Sequence, residues 1–372
     1  MKKKILYLAV TTALVLSSCS NDETTAVNQG EAISFRSSVS GTTRAADITT
    51  TNLQSFTVNA MNAGTESSYF SDAVFTRVDA TSTFTSGTKY YWPPTGSLDF
   101  YAYSPAGNGQ VTYTNYKTFT VTPSTTIASQ VDLVYAATKG KNRISSATGV
   151  VLNFRHTGAK IVCKVTNTST DMKFEIEGWK IGFLSPSGVF TFADANTDGQ
   201  NTGTGTTLTY TQWGTWGTRS VDTEYSSTFD QQTIASSTTT PTALAGEMIL
   251  VPQRITKATA YASDATSAKL NGSFIAIKLV IKDNSGNVIA PTGGTATWAI
   301  WPIGDNGGET PFNWEPGKKY TYTVNLAGGG FEETNKASTD ANLDPILQNA
   351  EITFITVTVD DWTDVAKAVP ES

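Results

Sequence analysis

The sequence predicts an all-β protein built from two tandem β-sandwich domains behind an export signal. Short runs of alternating apolar and polar residues recur along the 372 residues between Gly, Pro and Asn turns, and sustained helical periodicity is almost absent. Thr, Ser, Gly, Tyr and Trp are abundant while only 16% of residues are charged, a composition suited to pleated, half-buried surfaces. The ~350 residues that follow the signal are too many for one small sandwich and comfortable for two.

The elements follow in order. Lys2, Lys3 and Lys4 form a positive leader, and Ile5 to Leu16 an apolar run too short to span a bilayer, so residues 1–18 read as a signal peptide. Leu16-Ser17-Ser18-Cys19 is a lipobox. Its serines suit a signal-peptidase pocket, and the Cys19 thiol takes the lipid, acylated with palmitate. The chain is therefore expected to touch the membrane through that anchor alone. With Cys19 committed, Cys163 has no partner for an intrachain disulfide. A net charge of −6 and a pI near 5.0 argue against nucleic acid or anionic lipid as partners.

Residues 19–44 read as a solvated tether and a first strand, in which Ile33 to Val39 alternates. Small residues around Arg44 and Ala45 interrupt it. An N-terminal sandwich is expected over 45–147. Its strands are read at Leu53–Ala60, Asp72–Val78, Lys89–Trp92, Leu98–Tyr103, Val111–Tyr116, Lys117–Thr122 and Val131–Ala136. Pro93-Pro94-Thr95-Gly96 is a turn, with proline presetting φ and glycine free to take a positive one. The polar stretch Ala137–Asn142 marks the approach to the boundary. The C-terminal sandwich is expected over 148–372, from Gly149–Phe154 and Ala159–Val165 through later strands to Ile352–Val359. Thr197–Thr238, rich in Thr, Gly and Ser, reads as a long surface loop or hairpin.

Little points to catalysis. His156 is the only histidine, which removes mechanisms that need two imidazoles, and no Gly-x-Ser-x-Gly elbow accompanies it. It reads as a structural residue at a strand end, and Cys163 as core. No enzyme, cofactor or catalytic residue is assigned. Asp194, Asn196 and Asp198 match the opening of a calcium loop, but the twelfth position is Gly205 and no helices flank it. An Asx–Gly turn gives the same letters, and no metal is assigned. Trp213 and Trp216 are read either as an exposed pair for stacking on glycans or as caps on a sandwich core.

Several segments in this order resemble the fimbrillin family of Bacteroidales, including its lipoprotein branch. They are the lipobox; Ile33-Ser34-Phe35 followed by Thr42-Thr43-Arg44-Ala45; and Tyr91-Trp92-Pro93 leading to Leu98 through Pro105. Then come Asp132–Ala136, Asn153–Ile161, Leu250-Val251-Pro252-Gln253, Tyr320–Val324 and Val359-Asp360-Asp361-Trp362. Asp22 and Glu23 resemble the acidic stretch that sends such lipoproteins to the outer face. The resemblance implies transthyretin-like, Greek-key sandwiches and a structural subunit, stalk or tip, of a pilus or fimbria that supports cell adhesion. Residues up to Arg44 become a propeptide, cut from Ala45 by an arginine-specific protease. The groove so opened is filled by donor-strand exchange with another pilin subunit, identical or related. The donor candidate lies near 351–362, with Ile352, Phe354, Ile355, Val357 and Val359, and the implied outer partner is a host protein or glycan. The alternative is a monomeric surface lipoprotein that binds glycans through its aromatics.

Overall fold

A computed structural model describes residues 32–39, 48–105, 108–193, 214–217, 223–259, 270–304, 312–332, 346–347 and 354–361. In chain order the strands begin with Phe35–Val39 (β1), Ser55–Asn62 (β2), Ser68–Thr76 (β3) and Leu98–Ser104 (β4). Val111–Asn115 (β5), Thr118–Val121 (β6), Val134–Lys141 (β7) and Val150–His156 (β8) come next. Then follow Ala159–Asn167 (β9), Met172–Leu184 (β10), Gly188–Thr191 (β11) and Thr215–Trp216 (β12). Thr223–Ile234 (β13), Thr238–Ala243 (β14), Met248–Leu250 (β15) and Arg254–Ile255 (β16) lead to Phe274–Asp283 (β17) and Val288–Ala290 (β18). The last are Thr297–Pro302 (β19), Phe312–Asn313 (β20), Lys318–Asn325 (β21), Phe331–Glu332 (β22) and Phe354–Asp361 (β23).

The first sheet runs β1-β8-β7-β4-β2-β3, with β1 parallel to β8 and the other pairs antiparallel. It is rolled, because Phe35 on one terminal strand packs against Phe75 on the other. Inside the roll lies a core of Phe35, Phe56, Phe75, Phe100, Phe154 and their neighbours. The outer face carries Tyr101, Tyr103 and Tyr135, which pack on Phe119, Phe190 and Phe192 of a small antiparallel sheet, β12-β11-β6-β5, and the residue that follows it. Burial on both faces explains why β2 and β4 read as near-continuous buried runs.

The second half is a sandwich of two further sheets, β13-β10-β17-β19-β22 and β14-β9-β21-β23. Their facing sides share one core that includes Trp179, Trp301, Trp314, Tyr320, Tyr322 and Cys163. β10 is bulged twice, after Ile176 and after Ile181. At the first bulge a Cβ on Gly178 would lie 2.7 Å from the Ser227 carbonyl oxygen, so only glycine lets β13 approach.

The structure differs from the sequence expectations at four places. Ala137–Lys141 is the second half of β7, and β8, which lies beyond residue 147, still hydrogen-bonds in the first sheet. The change of sheet therefore falls at Thr157 and Gly158, and β11 and β12 return to the first half. Lys89–Trp92 is not a strand: Tyr91 forms a single bridge before Pro93-Pro94, while Trp92 turns into the core. Within the loop or hairpin expected over 197–238, Thr223–Ile234 forms a 12-residue strand that pairs with β10 along a sheet edge.

Candidate strand-exchange groove

β1 fills a groove with two walls. On one side it pairs in parallel with β8, from Phe35 opposite Val150 to Val39 opposite Phe154. The Val150 amide donates to the Ser34 carbonyl at 2.8 Å. On the other side the Ile33 amide donates to the Tyr90 carbonyl at 2.7 Å, and Ala32 bridges Tyr91. At Gly149 a Cβ would come within 3.0 Å of Ser34 Oγ, and φ is +99°, so a side chain there would push the segment outward.

The floor of the groove is the core itself. Ile33 and Phe35 are 5% and 4% exposed. The Phe35 ring meets Phe75 at 4.7 Å, Phe100 at 5.4 Å and Phe56 at 6.0 Å between centroids, each edge to face. Burying two such side chains stabilises by ~1.5–3 kcal/mol each. Ser37 is the flaw in the plug. It occupies the next position of the inward alternation, and its hydroxyl is buried without a hydrogen-bond partner.

Downstream of Arg44, Ile48 is fastened to the same wall. Its amide donates to Asp132 Oδ2 at 2.8 Å. His156, the last residue of β8, places Nδ1 2.9 Å from Asp132 Oδ1 and 2.8 Å from Oδ2, and both side chains are buried. Sequence reasoning placed His156 at a strand end but missed Asp132, whose partners lie 24 and 84 positions away.

Cys19, Arg44, Ala45, Ile352, Trp213, Asp194, Asn196 and Asp198 all lie outside the described residues. The backbone of Phe354, Ile355, Val357 and Val359 forms β23, an edge strand antiparallel to β21. Val357 stands opposite Tyr322, and Val359 opposite Tyr320. Trp216 is half-buried at the end of the small sheet. Its Nε1 donates to the Thr157 carbonyl at 2.9 Å, and its ring lies 5.2 Å from that of Phe190.

Residues 43–362 match the model of a family described as fimbrillin-like. No curated protein sequence matches the chain. Among solved structures, a fimbrial protein from Bacteroides vulgatus is similar over 89% of this chain and 99% of its own, with 13% identity and a TM-score of 0.54, and it shares the fold. A candidate cell adhesion protein from Bacteroides uniformis (16% identity) covers 89% of this chain and 98% of its own, with a TM-score of 0.45. Another from Parabacteroides distasonis (12% identity) covers 91% and 99%, with a TM-score of 0.44. The chain belongs to the fimbrillin-like family, a non-enzymatic kind of protein.

Proposed function

We propose that this protein is a structural subunit, stalk or tip, of a cell-surface fimbria. In this reading it is exported as an outer membrane lipoprotein on Cys19 and matured by an arginine-specific protease between Arg44 and Ala45. It then polymerises with other pilin subunits by donor-strand exchange. The observation that carries the reading is the placement of β1, a core plug on the N-terminal side of Arg44. Once β1 leaves, β8 presents an unpaired edge above an uncovered apolar core, a template that a strand from another subunit satisfies. In the donor role β23 leaves the edge position that it holds beside β21.

The test is limited trypsin treatment of the purified, non-lipidated precursor, followed by intact mass and size-exclusion chromatography. One early cut after Arg44, with the remainder resistant and converting to larger species, supports the reading. Resistance at Arg44 sinks it. A cut product that stays monomeric restricts the protein to a tip subunit without a donor.

A further inference from the structure

An open cleft of about 630 Å³ lies where the end of the small sheet meets the second sandwich. One wall is Trp216. The opposite wall is the β16–β20 ribbon, in which Arg254 stands across from Asn313, together with Glu315 just beyond it. Two residues fix the base. Gln253 accepts from the Ser185 amide at 2.8 Å through Oε1 and donates to the Val251 carbonyl at 3.0 Å through Nε2. Its own carbonyl accepts from the Trp314 amide at 2.9 Å, and Trp314 Nε1 donates to the Tyr322 hydroxyl at 2.9 Å. These polar groups are spent on the fold, so the cleft is preformed and needs little ordering on binding.

What remains for a ligand is chemically specific. Trp216 has used its one donor on Thr157, so it offers the cleft only apolar ring surface. Arg254 and Asn313 are exposed, and Glu315 is half-buried. Together they supply a planar donor fork, an amide that both donates and accepts, and a carboxylate acceptor. Arg254 and Glu315 are the two charged residues of the lining and oppose each other, while the Lys318 ammonium outside the lining also interacts with Glu315, so the lining itself carries no net charge. Sugar hydroxyls donate and accept at once, and so satisfy a guanidinium and a carboxylate in one site. The C–H face of a pyranose ring suits an indole surface.

We propose that this cleft binds a neutral saccharide, with Trp216 as the stacking surface and Arg254, Asn313 and Glu315 as hydroxyl partners. The site is independent of strand exchange and is tested on the intact, non-lipidated precursor. The protein is applied to a printed array of neutral and acidic oligosaccharides. Saturation-transfer NMR then follows with the neutral sugar best retained. Trp216→Ala reports the stacking surface, while Arg254→Ala and Glu315→Ala lie outside the core and keep the melting temperature. The expected result is retention of neutral glycans that each of these two variants weakens about 10-fold or more, the worth of a hydrogen bond to a charged group. Retention of acidic glycans alone, no retention at all, or unchanged binding by both surface variants overturns the proposal.

Discussion

The Phe35 ring meets the Phe75 ring edge to face, 4.7 Å between centroids and 78° between planes, although β1 and β3 are the two terminal strands of their sheet. That contact closes the roll. It also places the closure on a strand that precedes Arg44, so the integrity of the first core depends on a segment the chain is proposed to lose.

The weight of that contact is measurable. Phe35→Ala in the precursor removes a ring that touches three other phenylalanines, and is expected to cost ~3–5 kcal/mol in urea unfolding. Val74→Ala, at a side chain 47% exposed on β3 at the far end of the same sheet, is expected to change stability by no more than ~0.5 kcal/mol. Equal effects at the two positions would mean that β1 is no plug.

Ser37 gives the opposite prediction. Its buried, unpartnered hydroxyl lowers the stability of the precursor strand, and removing it relieves a desolvation cost of ~1–3 kcal/mol. Ser37→Ala is therefore expected to raise the urea midpoint of the precursor. After trypsin treatment it slows the growth of large species on size exclusion by roughly 10-fold for each 1.4 kcal/mol gained. Unchanged growth with a raised midpoint would show that β1 departure does not limit assembly.

The alternation around Ile33 and Phe35 made β1 legible, because one buried face writes itself into the chain at every second residue. Its second wall was not legible. Tyr90 and Tyr91 read as part of a strand, yet Pro93-Pro94 ends the pairing and leaves one bridge and one hydrogen bond to Ala32 and Ile33. β13 was not legible as a strand of its own within that loop or hairpin, because an edge strand shows water most of its side chains, so Thr223–Ile234 carries Ser, Thr and Gln where a central strand carries Val and Ile. The cleft was half legible: Trp216 drew notice, whereas Arg254 and Glu315 reach it only through the pairing of β16 with β20.

Stability should fall on the alkaline side. Burial pushes the Cys163 thiol and the Tyr322 hydroxyl well above their ordinary ranges, and pushes Tyr135 and Tyr225 up to about 12. In the unfolded chain these groups ionise near ~8.5 for the thiol and ~10 for the phenols. Below those values the groups are protonated in both states and contribute no pH dependence. Above them the unfolded state has released protons that the folded state still holds, so stability drops as pH rises. Urea midpoints are expected to be flat near neutrality, to decline from about pH 8.5 and to steepen beyond about pH 10. Cys163→Val should remove the first part of the decline and leave the second.

Asp132 is the test of how the segment after Arg44 is held. Its carboxylate takes the Ile48 amide and the His156 ring together, with no exposure of its own side chain. Asp132→Ala removes the acceptor of the Ile48 amide and the buried carboxylate beside His156 Nδ1, and is expected to cost ~1–3 kcal/mol. Asp132→Asn keeps a carbonyl oxygen for Ile48 and should cost less, leaving the His156 contact to the amide group. Hydrogen exchange at the Ile48 amide separates the two effects. It should lose protection in the alanine variant and largely retain it in the asparagine variant. Because His156 is the only histidine in the chain, its ring signals report the contact directly. Ring signals that move in neither variant would show that Asp132 holds Ile48 alone, and that the end of β8 is fixed by its strand pairing.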